Sequence, residues 1–338
     1  MRDIQLNGEY LQYLVVIWCA VFLTLITALS AAAQLRPVEK VSDSRQLSQS
    51  GLGSIGQNEQ PVLTNTDLVT MTVSVTDANG HYVSGLEQKD FIVSDNKVAQ
   101  EITFFNDDDV PASVGIVFDV SGSMSGQNIM KAKEALATFI QTSHPSDEYF
   151  LIDFSSRPRL LLNRTLDGDA VLGKLTYVEP QGKTALYDAA YVALAHLANA
   201  ALRKRAVLII SDGQDNDSRY TFSELRRALK ESEVTVYAIG TNPNASMKEE
   251  MYGKAALEEL ASASGGKAFF PRNSEQMDEA FERIALELRH RYSIGYRPSN
   301  FTADGKWHRV KVKVTAPIEL KRVLVRSPDG YYAVGSFR

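Results

Sequence analysis

Five oxygen-bearing side chains carry the chemistry this sequence can offer. Asp119, Ser121 and Ser123 stand at alternate positions in Asp119-Val120-Ser121-Gly122-Ser123-Met124-Ser125-Gly126. Thr184 lies in Gln181-Gly182-Lys183-Thr184-Ala185-Leu186-Tyr187-Asp188, and Asp212 in Ser211-Asp212-Gly213. Two carboxylates and three hydroxyls form an all-oxygen donor set with little negative charge. Such a set suits Mg²⁺ or Mn²⁺, with Ca²⁺ as a further candidate, better than zinc or copper. The histidines, His81, His144, His196, His290 and His308, are scattered, and no cysteine cluster competes. Taken alone, the Asp-x-Ser-x-Ser stretch reads equally well as a helix N-cap. Thr184 and Asp212 turn the balance towards a metal site.

The elements that must position these residues alternate between strands and helices from Ser113 to about Arg289. Val114-Gly115-Ile116-Val117-Phe118 and Ala206-Val207-Leu208-Ile209-Ile210 are continuous apolar runs, the mark of strands covered on both faces. Tyr149 to Ile152 and Val234 to Ile239 read the same way, with shorter strands at Arg159 to Leu162 and Lys267 to Phe270. Helical periodicity covers Gln127 to Gln141, Asp169 to Leu175, Thr184 to Leu202, Phe222 to Glu231, Met251 to Ala263 and Ser274 to Arg289. This order implies an α/β fold, a doubly wound and mostly parallel sheet. Asp119 and Asp212 then follow strand carboxyl ends, where open α/β sheets bind ligands.

Period-two alternation marks the flanks. Val69, Met71, Val73 and Val75 alternate with polar residues, then Phe91 to Val93 and Val98 to Phe105 give two more strands. After Arg289, Tyr292, Ile294 and Tyr296 alternate, as do Val310, Val312 and Val314; Val323 with Val325 and Tyr331 to Val334 follow. Each flank is too small to bury a core by itself. The expectation is a small β-sandwich formed by both flanks, with the α/β domain inserted between them. Asp107-Asp108-Asp109 marks the boundary and reads as a solvated linker.

Asp-x-Ser-x-Ser after the first strand, Gly-x-Thr-Ala-Leu-Tyr-Asp downstream and a later Ser-Asp-Gly resemble the metal-ion-dependent adhesion site of von Willebrand factor A (VWA) domains. The resemblance covers about Val110 to Arg289. The whole layout is also similar to exported VWFA-related proteins of acidobacteria. The resemblance implies that Ser121 and Ser123 ligate the metal directly, Thr184 directly or through water, and Asp119 and Asp212 mainly through water. It leaves one coordination position for a carboxylate from a protein partner. An ion held mostly by neutral hydroxyls keeps much of its charge and attracts such a group. Asp188 fits a structural role, and Asp215 with Asp217 fit a solvated turn. Replacing Asp119 by alanine is expected to remove metal binding and leave the fold intact.

From Tyr13 to Ala33 the chain is uncharged and ends in Ala31-Ala32-Ala33. A signal peptide cleaved after Ala33 and a retained membrane anchor both fit. Either one places the remainder outside the cytoplasm, as a periplasmic, secreted or membrane-anchored protein. Cys19 is the only cysteine and lies in this leader, so disulfides do not hold the remainder together. Residues 34–65 are polar and read as a linker. The resulting division is 1–33 leader, 34–65 linker, 66–109 N-terminal β segment, 110–289 VWA domain and 290–338 C-terminal β segment. The 338 residues are 44% hydrophobic and 23% charged with a net charge of -5, which gives no support to nucleic-acid binding.

Enzyme readings are weaker. Gly182-Lys183-Thr184 resembles the end of a phosphate-binding loop, but Tyr177 stands where its first glycine belongs. Ser121 occupies the position where a haloacid-dehalogenase-type phosphatase needs its second aspartate. No nucleophile elbow is present. The expected function is an exported, metal-dependent protein-binding module for adhesion or envelope assembly, not an enzyme. The alternatives are a structural envelope protein with a stabilising metal and, behind it, a metal-dependent hydrolase. Chelator-sensitive binding separates the first two, and turnover of a phosphate or acyl substrate identifies the third.

Overall fold

In the computed structural model, the described residues are 68–241, 247–315 and 323–333. The leader and the linker lie outside them. All described residues belong to one unit, Leu63–Arg338. In chain order its elements are β1 (Val69–Asp77), β2 (Phe91–Asp95), β3 (Val98–Gln100), β4 (Ile102–Asn106), β5 (Ala112–Asp119), α1 (Gln127–Thr142), β6 (Glu148–Phe154), β7 (Pro158–Thr165), α2 (Gly168–Thr176) and α3 (Leu186–Ala198). There follow β8 (Lys204–Ser211), α4 (Phe222–Glu231), β9 (Thr235–Gly240), α5 (Met247–Ala263), β10 (Ala268–Phe269), α6 (Ser274–Arg289), β11 (Tyr292–Tyr296), β12 (Trp307–Val314), β13 (Val323–Arg326) and β14 (Gly330–Tyr332).

The apolar runs form the centre of a six-stranded sheet with the order β10-β9-β8-β5-β6-β7. Every residue of β5 is buried. Pairing is parallel from β10 to β6, and β7 closes the edge antiparallel to β6. Alternate strand residues face opposite helical layers. Val114, Ile116 and Phe118 pack with Leu136 and Phe139 of α1, Leu175 of α2 and Phe281 of α6. Val117 and Ile209 pack on the other side with Leu186 and Ala193 of α3, Leu225 of α4 and Leu257 of α5. The expected doubly wound sheet is present.

The flanking segments form two four-stranded antiparallel sheets, β13-β1-β11-β4 and β14-β12-β2-β3. Strand β1, from before the α/β body, pairs with β11 from after it, placing Met71 against Ile294. Likewise β2 pairs with β12, with Val93 opposite Val312. The two sheets enclose one core that includes Val73, Val75, Phe91, Val93, Tyr292, Ile294 and Val310.

Three details differ from the sequence expectation. The single strand expected over Val98 to Phe105 is two strands in different sheets, β3 beside β2 and β4 beside β11, with the chain crossing over at Glu101. An apolar run by itself does not reveal such a change of partner. The helix expected from Thr184 to Leu202 spans only Leu186–Ala198, because Thr184 is held in a loop and Asn199 ends the last turn. The strand expected at Arg159 to Leu162 is longer and is an antiparallel edge.

Two ionic contacts join the α/β body to the antiparallel sheets. Where the chain enters and leaves the body, Arg289 pairs with Asp109, and Lys204 Nζ donates to the carbonyls of Asp108 and Arg289. The acidic stretch at the boundary is thus partly a clamp. At the second contact, Glu287 of α6 is 1% exposed and accepts from Arg326 of β13 and from the Tyr82 hydroxyl (2.7 Å). Burial works to raise the Glu287 pKa, but the Arg326 guanidinium, the Tyr82 hydroxyl and Arg291 outweigh it and hold the carboxylate below its usual range. Removing one member of a buried pair leaves the other charge uncompensated, at a cost of about 3–5 kcal/mol. Glu287→Ala is expected to lower unfolding stability by about 3 kcal/mol, measured by urea denaturation. A loss under ~1 kcal/mol would show that this contact does not hold the two parts together.

Candidate metal centre

The strand order creates a crevice. From β5 the chain passes through α1 to β6 on one side, then returns after β7 to build β8 and β9 on the other. The chain therefore leaves the carboxyl ends of β5 and β8 for helices on opposite faces of the sheet, the arrangement at which open α/β sheets bind ligands. Asp119 is the last residue of β5, and Asp212 directly follows β8.

Asp119 is fully buried. Its Oδ1 accepts from the Ser121 N–H (2.8 Å) and its Oδ2 from the Ser211 hydroxyl (2.6 Å). One carboxylate thus draws the β5 and β8 loops together. The Ser121 N–H bond folds the loop back, so that the Ser121 and Ser123 hydroxyls lie 3.0 Å apart. A 3-10 turn, Gly122–Met124, follows, with Met124 fully buried and the Thr241 hydroxyl donating to its sulfur (2.8 Å).

The Thr184 loop is fixed through its backbone. Gln181 N–H donates to the Val120 carbonyl (2.8 Å) and Gly122 N–H to the Gly182 carbonyl (3.0 Å). Thr184 N–H donates to Asn216 Oδ1 (2.9 Å), while the Asn216 and Asp217 N–H groups donate to the Thr184 carbonyl (2.9 and 3.1 Å). Thr184 is thereby tied to the loop that carries Asp212.

Asp212 is 8% exposed, and only one of its oxygens is engaged: Oδ1 accepts from Gln214 N–H (3.0 Å). Its Oδ2 is buried and has no hydrogen-bond partner. A buried carboxylate oxygen without a donor is costly unless a cation or water satisfies it. Gly213 follows with φ of +81°, and a Cβ there would lie 2.3 Å from the Gly253 carbonyl oxygen of α5. Only glycine permits this close approach, which sets the position of the loop.

The five residues expected at the site are thus brought to one end of the sheet by a connected set of bonds, with Thr184 joined through its backbone. Among the described residues, no group of three or more His, Cys, Asp or Glu side chains is placed to hold a metal. A cation here would depend on the hydroxyls of Ser121, Ser123 and Thr184 beside the two carboxylates. The donor set and the unpartnered Asp212 oxygen fit a hard divalent cation.

Other acidic residues have structural partners. Asp215 Oδ2 accepts from the Tyr187 N–H in the first turn of α3 (2.9 Å) and from the Ser218 hydroxyl. Asp215 is therefore a cap and not the solvated turn expected. Asp188 Oδ1 accepts from the Arg219 and Tyr220 N–H groups (2.8 and 3.0 Å). Sequence reasoning missed the part played by Ser211. Its signal was a hydroxyl residue before the aspartate at a strand end.

The sequence profile of the von Willebrand factor type A domain matches residues 113–283. The chain belongs to the von Willebrand factor type A family. Inter-alpha-trypsin inhibitor heavy chain H4 of Bos taurus is 25% identical over 210 residues, covering 56% of this chain and 22% of that protein. Heavy chain H2 of Sus scrofa is 25% identical over 174 residues, covering 43% and 19%. The chain spans about a fifth of the length of these relatives. Among solved structures, a von Willebrand factor type A protein from Catenulispora acidiphila aligns with a TM-score of 0.46 and 15% identity, over 80% of this chain and 75% of that one.

Burial, with a contribution from the neighbouring Asp212 charge, pushes the Asp119 pKa up to about 6 against the opposing Ser121 and Ser211 hydrogen bonds. The folded VWA domain then binds a proton more readily than the unfolded chain, so this group's contribution to stability falls as pH rises from 4 to above 6. Without divalent cations, the protein is expected to be about 1 kcal/mol more stable at pH 5 than at pH 7 through this group. Asp119→Asn should flatten that difference in thermal melts, and an unchanged pH profile in the variant would remove the assignment. Because Asp119 is wholly buried and holds two donors, Asp119→Ala is not the clean binding variant that the sequence suggested. It leaves the Ser121 N–H and the Ser211 hydroxyl unpaired, at about 1–3 kcal/mol each.

Proposed function

We propose that this chain uses its VWA domain to bind a divalent cation, Mg²⁺ foremost, and through it a carboxylate of a protein partner. VWA domains are typically protein-interaction or adhesion modules. The observation that carries the metal-dependent reading is the buried, unpartnered Oδ2 of Asp212, at the same end of the sheet as the paired Ser121 and Ser123 hydroxyls. Ser121 and Ser123 would hold the ion directly, Thr184 directly or through water, and Asp119 and Asp212 mainly through water. The ion supplies a positive charge that three neutral hydroxyls do not cancel. The protein's part is to hold those hydroxyls at the crevice and to leave one side open to the partner.

The reading is of a binding module and not an enzyme. The uncharged leader from Tyr13 to Ala33 and the lack of cysteine beyond Cys19 support export, with the leader either cleaved or kept as an anchor. On this reading the VWA domain, 110–289, is inserted between β segments 66–109 and 290–338.

Calorimetric titration of the protein with Mg²⁺ is the test. Saturable binding is expected in the wild type and its loss in the Ser121→Ala, Ser123→Ala double variant, with the far-ultraviolet dichroism of the two unchanged. No heat of binding in the wild type, or binding retained by the double variant, would reject the site.

A further inference from the structure

Beside the site, two exposed cations share one carboxylate. Arg157, in the turn between β6 and β7, and Lys183, the residue before Thr184, have side chains 55% and 66% exposed. Both face the same carboxylate: Lys183 Nζ lies 3.2 Å from Asp217 Oδ1, and Arg157 Nη1 lies 3.9 Å from Asp217 Oδ2. The Lys183 hydrogen bond holds the Asp217 pKa below its usual range. Asp217 belongs to the loop that follows Asp212, and its N–H donates to the Thr184 carbonyl (3.1 Å). Nearby, Arg159 is matched one to one by the buried Asp153.

We infer that the partner segment carries two acidic residues with one residue between them, the first carboxylate for the metal and the second for Lys183 and Arg157, where Asp217 now stands in its place. This rests on the metal-dependent reading above. The spacing follows from the chain. Lys183 and Thr184 are neighbours, with Cα atoms about 3.8 Å apart, and the lysine side chain carries its charge further outward. Alternate residues of an extended segment point to the same side about 6.6 Å apart. An acidic-x-acidic segment is the shortest extended one that presents two carboxylates on the same side, one for a metal beside Thr184 and one for the cations next to it. Asp217 satisfies Lys183 but holds Arg157 loosely, and a carboxylate from outside can use both, with the planar guanidinium offering a two-pronged contact.

The test uses two dye-labelled peptides, acetyl-Gly-Glu-Ser-Glu-Gly-amide and acetyl-Gly-Glu-Ser-Gln-Gly-amide, bound to the full-length protein in Mg²⁺ and followed by fluorescence anisotropy. The diacid is expected to bind about fivefold more tightly than the monoacid, within the range of an exposed ion pair. Adding salt should shrink the difference. Lys183→Ala with Arg157→Ala should abolish the preference for the diacid. Asp217→Asn, which frees both cations, should widen it. Equal affinities in the wild type, or a preference that survives the double variant, would overturn this inference alone, provided that binding is chelator-sensitive. Absence of Mg²⁺-dependent binding by either peptide would overturn it together with the metal reading.

Discussion

A carboxylate shut off from water must be met by donors, and at Asp119 those donors come from two directions. The Ser121 N–H folds the β5 loop back on itself, and the Ser211 hydroxyl ties that loop to the end of β8. The neighbouring Asp212 charge opposes the ionised form of Asp119. Two acidic groups held at adjacent strand ends form an arrangement that a cation relieves. The hydroxyl positions, the glycine contact between Gly213 and Gly253, and the backbone bonds of the Thr184 loop are all set around that pair. The cost of holding the charges is met by the large apolar layers on both faces of the central sheet.

Sequence reasoning reached the parts of this arrangement that rest on local pattern. Strands buried on both faces are continuous apolar runs, and β5 and β8 could be placed from Val114 to Phe118 and Ala206 to Ile210. Asp-x-Ser-x-Ser and Ser-Asp-Gly then fell at strand ends because a side chain's position along a strand follows directly from its place in the sequence.

What escaped the sequence depends on distant partners. The break at Glu101 is a choice between two sheets, and β3 and β4 differ in neighbours, not in composition. Thr184 lies outside α3 because its carbonyl, which a helix would offer to the Asp188 N–H, is taken by the Asn216 and Asp217 N–H groups from over thirty residues away. Asp215 looked like part of a polar turn, yet it caps a helix that begins at Leu186. The contact between Glu287 and Arg326 joins a helix of one layer to a strand of another, and no periodicity in either segment points to it.

The chain enters and leaves the α/β body at one pole, where Lys204 gathers the Asp108 and Arg289 carbonyls, and the hydroxyl crevice lies at the other. Between them, β5 is eight residues long, about 26 Å at the usual rise. A force applied between the crevice and the antiparallel sheets would load the body lengthwise, along β5 and β8. The crevice loops leave the same ends of both strands, so the covalent chain of β5 and its ladder to β8 carry such a load together. The parallel ladders of β5 with β6 and β8 thus run along the line that joins the two poles.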